Sequence, residues 1–240
     1  AVLIRDKDRA HPRAIVIGPG VRSIPGCEGG RIVGIIREIG TVGQVEPVLC
    51  HIRDEASVRA VIAGADAVVN CTGILFETGK NSFDAVQADG AGRVAALAAE
   101  AGVANLVHIS AIGADAGSDS DYARTKGEGE AAVLAAFPSA VILRPSIIFG
   151  TEDGFFNRFA GLVRFSPILP NTGGQSRLQP VYVDDVAHAA ANAAQGSLAA
   201  GVYELGGPDT DTFRGLMQTM LTEIRRKRVI FDMPGFMARA

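Results

Sequence analysis

The chain has 240 residues, of which 48% are hydrophobic and 20% are charged, and its formal net charge is −3. This composition is typical of a folded domain with a sizeable core and argues against intrinsic disorder. The slightly negative charge gives no electrostatic attraction to nucleic acid, and no apolar run approaches the roughly 20 residues of a membrane-spanning helix.

Short runs rich in valine and isoleucine recur along the first 145 residues. A run that is apolar on both faces predicts a strand of a parallel sheet, because helices cover both faces of such a sheet. The predicted strands are AIVIG (14–18), RIVGII (31–36), VEPVLC (45–50), DAVVNC (66–71), NLVHIS (105–110) and AVILRP (140–145).

Alanine-rich segments with helical spacing alternate with these strands. They are residues 54–64, where Asp54 or Ser57 can cap the helix, and the longer segments 83–103 and 121–137. The repeated order of strand, helix and strand predicts an α/β fold with a doubly wound parallel sheet of the Rossmann type.

The pattern changes after Gly150. Residues 154–170 predict a helix ended by prolines, residues 173–194 a loop, a short strand and a helix, and residues 201–208 a short strand and turn. We therefore expect a nucleotide-binding domain over residues 1–150 and a small C-terminal subdomain over residues 151–240. The subdomain is expected at the carboxyl ends of the main strands, where open α/β sheets bind their ligands.

The segment DYARTKGEGE (121–130) places Tyr122 four residues before Lys126 at the start of a predicted helix. Residues four apart share one helix face, and a nearby ammonium lowers the phenol pKa of about 10 towards neutrality. Ser110 ends the preceding strand, so the three residues form a set suited to proton transfer beside a nicotinamide. A Tyr-x3-Lys pair alone is commonly structural, but its place after this strand favours a nucleotide-dependent site.

The order of VVNCTG, VHIS, YARTK, LRPSIIFG, QPVYVDDVAHA and YELGGP resembles the short-chain dehydrogenase/reductase superfamily, in its extended and atypical branches. Within that superfamily, FGTEDGFFNRFA is similar to the accessory NAD(P)H-binding subunit of respiratory NADH:ubiquinone oxidoreductase (complex I). The resemblance covers residues 42 to 225.

The resemblance implies a nucleotide site drawn from several segments. Its implied members are Cys71, Thr72 and Gly73 after the fourth strand; Tyr122 and Lys126 at the nicotinamide ribose, beside Ser110; and Pro145, Ser146 and Ile147 along the nicotinamide. Two of these segments also have a structural interpretation. The CTG segment fits a strand-to-loop turn, and Arg144, which stands just before Pro145, fits a surface ion pair.

A dinucleotide site also needs clustered glycines between a strand and a helix that faces the pyrophosphate. AIVIGPGVRSIPGCEGG supplies the strand with Gly18, Gly20 and Gly26. Glu38, with Arg37 beside it, stands about 20 residues further on, where an acidic residue binds the adenosine ribose. The pattern departs from that of the family, because the intervening prolines and glycines leave little room for a crossover helix of about a dozen residues.

In a second alignment, AVLIRDKDRA (1–10) is the second strand and the glycine loop precedes Ala1. Residues 11–40 would then be an insertion, and Arg5 and Arg9 would meet the cofactor. Arginine at that place favours the 2′-phosphate of NADP. We expect NADP(H) rather than NAD(H).

The C-terminal segment IRRKRVIFDMPGFMARA stops where members of that family continue, so we expect their further segment to be absent here. Its cluster Arg225–Arg228 fits a membrane surface or a partner subunit. It fits equally a solvated helix end whose cations the helix dipole favours.

The resemblance implies an accessory subunit that holds NAD(P)H for structure or assembly, bound to other subunits of a membrane-associated NADH:quinone oxidoreductase. Such a subunit would lie on the cytoplasmic face of a bacterial inner membrane, or on the matrix side in a mitochondrion, without a transmembrane span. The set Ser110, Tyr122 and Lys126 leaves open a free NAD(P)-dependent oxidoreductase or a sugar-nucleotide epimerase or dehydratase. A nucleotide sensor is a third hypothesis. No histidine has metal-ligand spacing, so no metal is expected.

Overall fold

The computed structural model describes residues 2–4, 14–18 and 45–233 of the chain. In chain order its strands are β1 (Val2–Ile4), β2 (Ala14–Ile17), β3 (Val45–Pro47), β4 (Ala67–Asn70), β5 (Asn105–Ile109), β6 (Val141–Pro145), β7 (Ile148–Phe149), β8 (Ile168–Thr172), β9 (Arg177–Leu178), β10 (Val181–Tyr182), β11 (Gly201–Leu205), β12 (Asp211–Thr212) and β13 (Val229–Met233). Its helices are α1 (Glu55–Ile62), α2 (Asp89–Glu100), α3 (Asp121–Ala136), α4 (Phe156–Leu162), α5 (Val183–Ala194) and α6 (Phe213–Glu223), and a π-helical turn, Asp84–Ala88, precedes α2.

The central sheet has seven strands in the order β11-β6-β5-β4-β2-β1-β3. The strands β2, β4, β5 and β6 are parallel neighbours, and the row Val16, Val69, Val107 and Val141 crosses all four. All four residues of β4 are buried, as expected for a strand covered on both faces. The predicted doubly wound sheet is confirmed, with one exception: β1 runs antiparallel to both β2 and β3.

Four of the predicted strands are confirmed to within one residue at each end, namely those at 14–18, 66–71, 105–110 and 140–145. The run at 45–50 is a strand only as far as Pro47. Proline has no backbone N–H to donate to a sheet, which explains why the pairing stops there. The predicted strand at 31–36 lies outside the described residues.

The helices follow the predicted alternation. Asp54 caps α1, because its carboxylate accepts a hydrogen bond from Ala56 N at 3.1 Å. The segment predicted as one helix over 83–103 is instead the π-helical turn followed by α2. No α-helix among the described residues is long and apolar enough to cross a membrane.

By their internal contacts the residues form two compact units. Among the described residues, the first unit comprises those up to Arg144 together with His188–Glu204, and the second comprises Pro145–Ala187 together with those from Leu205 to Met233. The strand predicted at 201–208 was expected in the C-terminal subdomain. Instead, β11 is an edge strand of the central sheet, because it pairs beside β6.

The second unit has its own core, in which Leu169, Met217 and Leu221 are at most 1% exposed. The helix predicted over 154–170 ends at Leu162, because Ile168–Thr172 forms β8 and pairs in parallel with β13. Pro167 precedes that strand, and a residue before proline is disfavoured in helical conformation.

Candidate functional site

The carboxyl ends of β2, β4 and β5 bring several predicted site residues to one edge of the sheet. A side-chain Cβ at Gly18 would lie 3.4 Å from Cys71 Cβ. Cys71 N donates to Ile17 O at 2.6 Å, and Thr72 Oγ1 donates to the same oxygen at 3.4 Å. Ser110 follows β5 at this edge and is buried. The glycine, CTG and serine segments are therefore neighbours, as parallel strands require.

Lys126 is buried beneath this edge. It is 4% exposed, and its Nζ donates to Ile109 O at 3.3 Å. Burial lowers the pKa of Lys126 to about 8, although the charge of Glu130 opposes the shift. A Cβ at Gly73 would lie 3.2 Å from Lys126 Nζ, so a larger residue at this position would crowd the ammonium.

Tyr122 is only half-buried, and its ring packs edge to face against Phe83 with the ring centroids 6.0 Å apart. The sequence predicts that Lys126 lowers the pKa of this phenol. The structure corrects this expectation: burial raises the pKa of Tyr122, and its desolvation is the cause. The Lys126 ammonium instead donates a hydrogen bond to the backbone carbonyl of Ile109.

Three buried polar atoms close to this edge have no hydrogen-bond partner among the described residues: Ser110 Oγ, Gln87 Oε1 and His108 Nε2. A Cβ at Gly73 would lie 3.7 Å from Gln87 Oε1, so Gln87 Oε1 and Lys126 Nζ both lie close to Gly73. Gln87 also donates to Thr125 Oγ1 at 3.1 Å, which fixes its amide. Buried polar groups usually have partners, so these three atoms are the candidate contacts for a polar ligand or a water molecule.

Gln87 was not predicted as a site residue. It lies in the π-helical turn, which a helical periodicity does not reveal, and such turns are frequent at functional sites. The sequence offers one signal for Gln87: helical spacing over residues 83–103 predicts that this polar amide is buried.

The hydrogen bonds around His108 define its tautomer. Thr72 N donates to Asn70 Oδ1 at 3.1 Å, so Asn70 Nδ2 faces His108 Nδ1 at 3.2 Å and donates to it. The neutral imidazole therefore carries its proton on Nε2. Burial, with a smaller effect of the charge on Lys126, lowers the pKa of His108 to about 3. His108 is therefore an uncharged donor beneath the site.

Two glycines in α3 allow this helix to approach its neighbours closely. A Cβ at Gly129 would overlap Gln87 O, and a Cβ at Gly127 would overlap Ala116 N. The sequence KGEGE shows both glycines, but only the packed structure shows that they admit the backbone of the π-helical turn and of the loop at 115–116.

Arg144 and Glu130 join α3 to β6. Arg144 Nε and Nη2 donate to the two Glu130 carboxylate oxygens at 2.9 and 2.6 Å, and the Glu130 side chain is 6% exposed. This hydrogen bonding raises the pKa of Arg144. The ion-pair interpretation of Arg144 is confirmed, although its principal partner is buried.

The Cys71 thiol is a poor nucleophile, because it stays protonated near neutral pH. Burial raises its pKa to about 11, despite the opposing effect of Lys126.

Two further groups of predicted residues remain. Pro145, Ser146 and Ile147 begin the second unit, where Ser146 N donates to Leu205 O at 2.9 Å and Ile147 O accepts from Val181 N at 2.9 Å. Their contact with a nicotinamide stays a prediction. The other predicted cofactor residues, Gly20, Gly26, Arg37 and Glu38, lie outside the described residues, as do Arg5 and Arg9 of the second alignment.

The fold and this edge of the sheet define a dinucleotide-binding α/β protein, and comparison with known proteins agrees. The family described as NAD(P)H-binding matches residues 36–154, and the RmlD substrate binding domain matches residues 114–230. Over these residues the chain therefore resembles the short-chain dehydrogenase/reductase superfamily, in its extended branch.

Two individual relatives are informative, and the first of them supports the narrower resemblance. The chain is 38% identical over 209 residues to the mitochondrial NADH dehydrogenase (ubiquinone) 1 alpha subcomplex subunit 9 of Arabidopsis thaliana, covering 85% of this chain and 52% of the relative. It is 35% identical over 144 residues to a ceramide reductase of Caulobacter vibrioides, covering 60% of this chain and 45% of that protein. The chain thus spans about half the length of these relatives.

A solved structure shares the fold. The dTDP-4-dehydrorhamnose reductase of Bacillus anthracis, in complex with NADP, matches with a TM-score of 0.66 and 18% identity, covering 79% of this chain and 74% of that one.

The residues present fit a nucleotide ribose. A ribose hydroxyl both donates and accepts, and two groups close to Gly73 match it: the Lys126 ammonium is a donor, and Gln87 Oε1 is an acceptor that has no partner among the described residues. Ser110 Oγ adds a hydroxyl that can take either role.

Proposed function

We propose that the chain binds NADP(H) at the carboxyl ends of its parallel strands and retains it as a structural group. In this proposal it is an accessory subunit of a membrane-associated NADH:quinone oxidoreductase. Lys126 and Tyr122 would hold the nicotinamide ribose, and Ser110 and Gln87 would complete the polar surface around it. The names of relatives such as the Arabidopsis thaliana subunit support the assembly.

One observation carries the choice of binding over turnover: burial raises the pKa of Tyr122 while Lys126 Nζ donates to Ile109 O. A phenol of raised pKa is a poor proton donor or acceptor near neutral pH. A buried ammonium, by contrast, is a strong hydrogen-bond donor to a ribose hydroxyl. The geometry therefore favours holding the nucleotide.

The first experiment measures the nucleotide retained by the purified chain, by acid release and mass spectrometry. We expect NADP(H) in near-stoichiometric amount. Lys126→Met should weaken NADPH binding by about tenfold or more, the effect expected for a lost charge-assisted hydrogen bond. Lys80→Met, which removes an exposed lysine, is the matched control. Retention of NAD(H) alone would contradict the expected 2′-phosphate preference.

The second experiment tests the assembly. In gently solubilised membranes from the source organism, the protein should migrate with NADH:quinone oxidoreductase activity on a native gel. Tyr122→Phe should leave electron transfer near its wild-type value, while NADPH retention should fall because one hydrogen bond to the ribose is lost. Migration as a free protein would reject the accessory role.

A free NAD(P)-dependent oxidoreductase is the second candidate. It is favoured by the presence of Ser110, Tyr122 and Lys126 at one edge and by the ceramide reductase of Caulobacter vibrioides among the relatives. A bound nicotinamide would supply hydride transfer in such an enzyme. Loss of a measured hydride transfer in Tyr122→Phe at a saturating NADPH concentration would establish this candidate over the first.

A further inference from the structure

The second unit contains a cavity of about 630 Å³ that is separate from the residues assigned above. Small-molecule sites typically occupy about 300–1,000 Å³. All its lining residues belong to the second unit, and they come mainly from β7, α4, the loop at 208–211 and α6.

The inner wall of this cavity is apolar. Phe149 and Phe156 contact edge to face, with the ring centroids 6.4 Å apart. Leu216 and Met220 line the wall from α6, and Met220 is 6% exposed. Aromatic edges beside a flexible thioether form a surface that adapts to a hydrocarbon chain.

The charged residues of the lining are all acidic: Asp153, Asp209, Asp211 and Glu223. Among the described residues, no lysine, arginine or histidine lines the cavity. Asp209 and Glu223 are exposed and therefore lie at the rim. Asp153 has a fixed orientation, because its Oδ1 accepts from Phe155 N and Phe156 N at 2.9 and 2.6 Å.

This lining is unsuited to a sugar nucleotide, the ligand class of the dTDP-4-dehydrorhamnose reductase fold neighbour. A diphosphate needs arginine, lysine or several N–H donors, whereas carboxylates repel it. The same carboxylates attract a positively charged group.

We propose that the cavity binds a single-chain amphiphile with a cationic amine head. The tail packs against Phe156, Leu216 and Met220, and the ammonium lies beside Asp209 and Glu223. The proposal does not rest on the nucleotide site, so either can fail without the other.

The test uses displacement of the neutral fluorophore N-phenyl-1-naphthylamine from the purified chain at pH 7.5, with dodecylamine, dodecanol and dodecanoate below their micelle concentrations. Dodecylamine should displace the probe at about fivefold lower concentration than dodecanol, since an exposed ion pair contributes about a factor of five at most. Dodecanoate should be weaker than dodecanol, and UDP-glucose should displace nothing.

Two variants separate the tail from the head. Ala160→Phe fills the cavity from α4 and should abolish binding of the probe and of all three ligands. Asp209→Asn with Glu223→Gln should keep dodecanol binding and remove the preference for the amine. Asp119→Asn, which removes an exposed carboxylate of the first unit, should change neither.

Several results would overturn the proposal: dodecanoate binding as tightly as dodecylamine, displacement by UDP-glucose, failure of the probe and the amine to bind, or unchanged binding in a folded Ala160→Phe variant. Circular dichroism verifies that each variant is folded. The nucleotide content measured on the same samples reports separately on the function proposed for the first unit.

Discussion

The polar edge of the first unit and the cavity of the second unit place their ionisable groups differently. The first unit buries Lys126, His108 and Glu130, each at most 5% exposed. The second unit keeps Asp209 and Glu223 exposed at the rim of an apolar wall. Burying an ionisable group costs stability unless it is paired, so the first unit carries a cost that a bound nucleotide can offset.

The comparison teaches that pH should act on the two units in different ways. The pKa values of His108 and Lys126 are lowered by burial, so the stability of the first unit depends on their protonation. The stability of the second unit should instead depend on helix caps and side-chain packing, and not on pH. Four predictions test this contrast, in order of decreasing size.

The largest effect is expected from His108. Its pKa is about 3 in the folded chain against 6.5 for a free histidine. Below pH 6.5 the unfolded chain therefore takes up the proton first, and the native state loses stability as pH falls from 6.5 to 3, by about 5 kcal/mol in total. His108→Gln should remove this slope from the urea-unfolding free energy.

The matched control is His188→Gln, which removes an exposed imidazole and should keep the wild-type pH dependence. An unchanged slope in His108→Gln would show that the buried imidazole does not determine the acid sensitivity of the first unit.

Lys126 should show the second largest effect, at higher pH. Its pKa is about 8 when folded against 10.5 for a free lysine. The unfolded chain holds more protons between these values, so wild-type stability rises from pH 8 to 10.5. Lys126→Met, measured without nucleotide, should be more stable than wild type by about 3 kcal/mol at pH 7, and the difference should vanish near pH 10.5.

Lys80→Met again serves as the control, with no such pH-dependent difference expected. If Lys126→Met were less stable than wild type at pH 7, the ammonium would contribute more through its hydrogen bonds than its burial costs, and the contrast between the units would fail.

Replacing a glycine by alanine should change the free energy of unfolding in opposite directions in the two units. Gly129→Ala drives a methyl group into Gln87 O and should destabilise the chain by about 2 kcal/mol, because the backbone must move. Gly161→Ala in α4 meets nothing within 4 Å and should stabilise by up to about 1 kcal/mol, because alanine is the better helix former. Thermal unfolding measures both, and destabilisation of similar size at the two positions would contradict the close packing of α3.

The smallest effect is expected in the second unit. Thr212 Oγ1 accepts from Gly215 N at 3.0 Å and caps α6, so Thr212→Ala should cost about 1 kcal/mol at every pH. Thr222→Ala, which alters an exposed threonine whose hydroxyl donates to Gln218 O at 2.9 Å, should be near neutral. A loss that grew as pH changed would show that the second unit also contains a coupled ionisable group.

Much of the fold was predictable because its signals are local. Valine-rich runs gave β2, β4, β5 and β6, and alternating alanine-rich runs gave α1 and α3. The direction of β1 and the place of β11 were not predictable, since strand pairing is decided by distant partners. The end of α4 was also missed, because residues 168–172 pair with a strand that lies about 60 residues later.

The properties of the candidate site also fall into a part that was predictable from the sequence and a part that was not. The sequence by itself determined that Ser110, Tyr122 and Lys126 follow one strand and open one helix, since these depend on spacing along the chain. Only the tertiary structure decided that Lys126 donates to Ile109 O, that Gln87 faces Gly73, and that His108 is an uncharged donor. Burial and hydrogen-bond partners set these properties, and both are supplied by segments that the sequence keeps far apart.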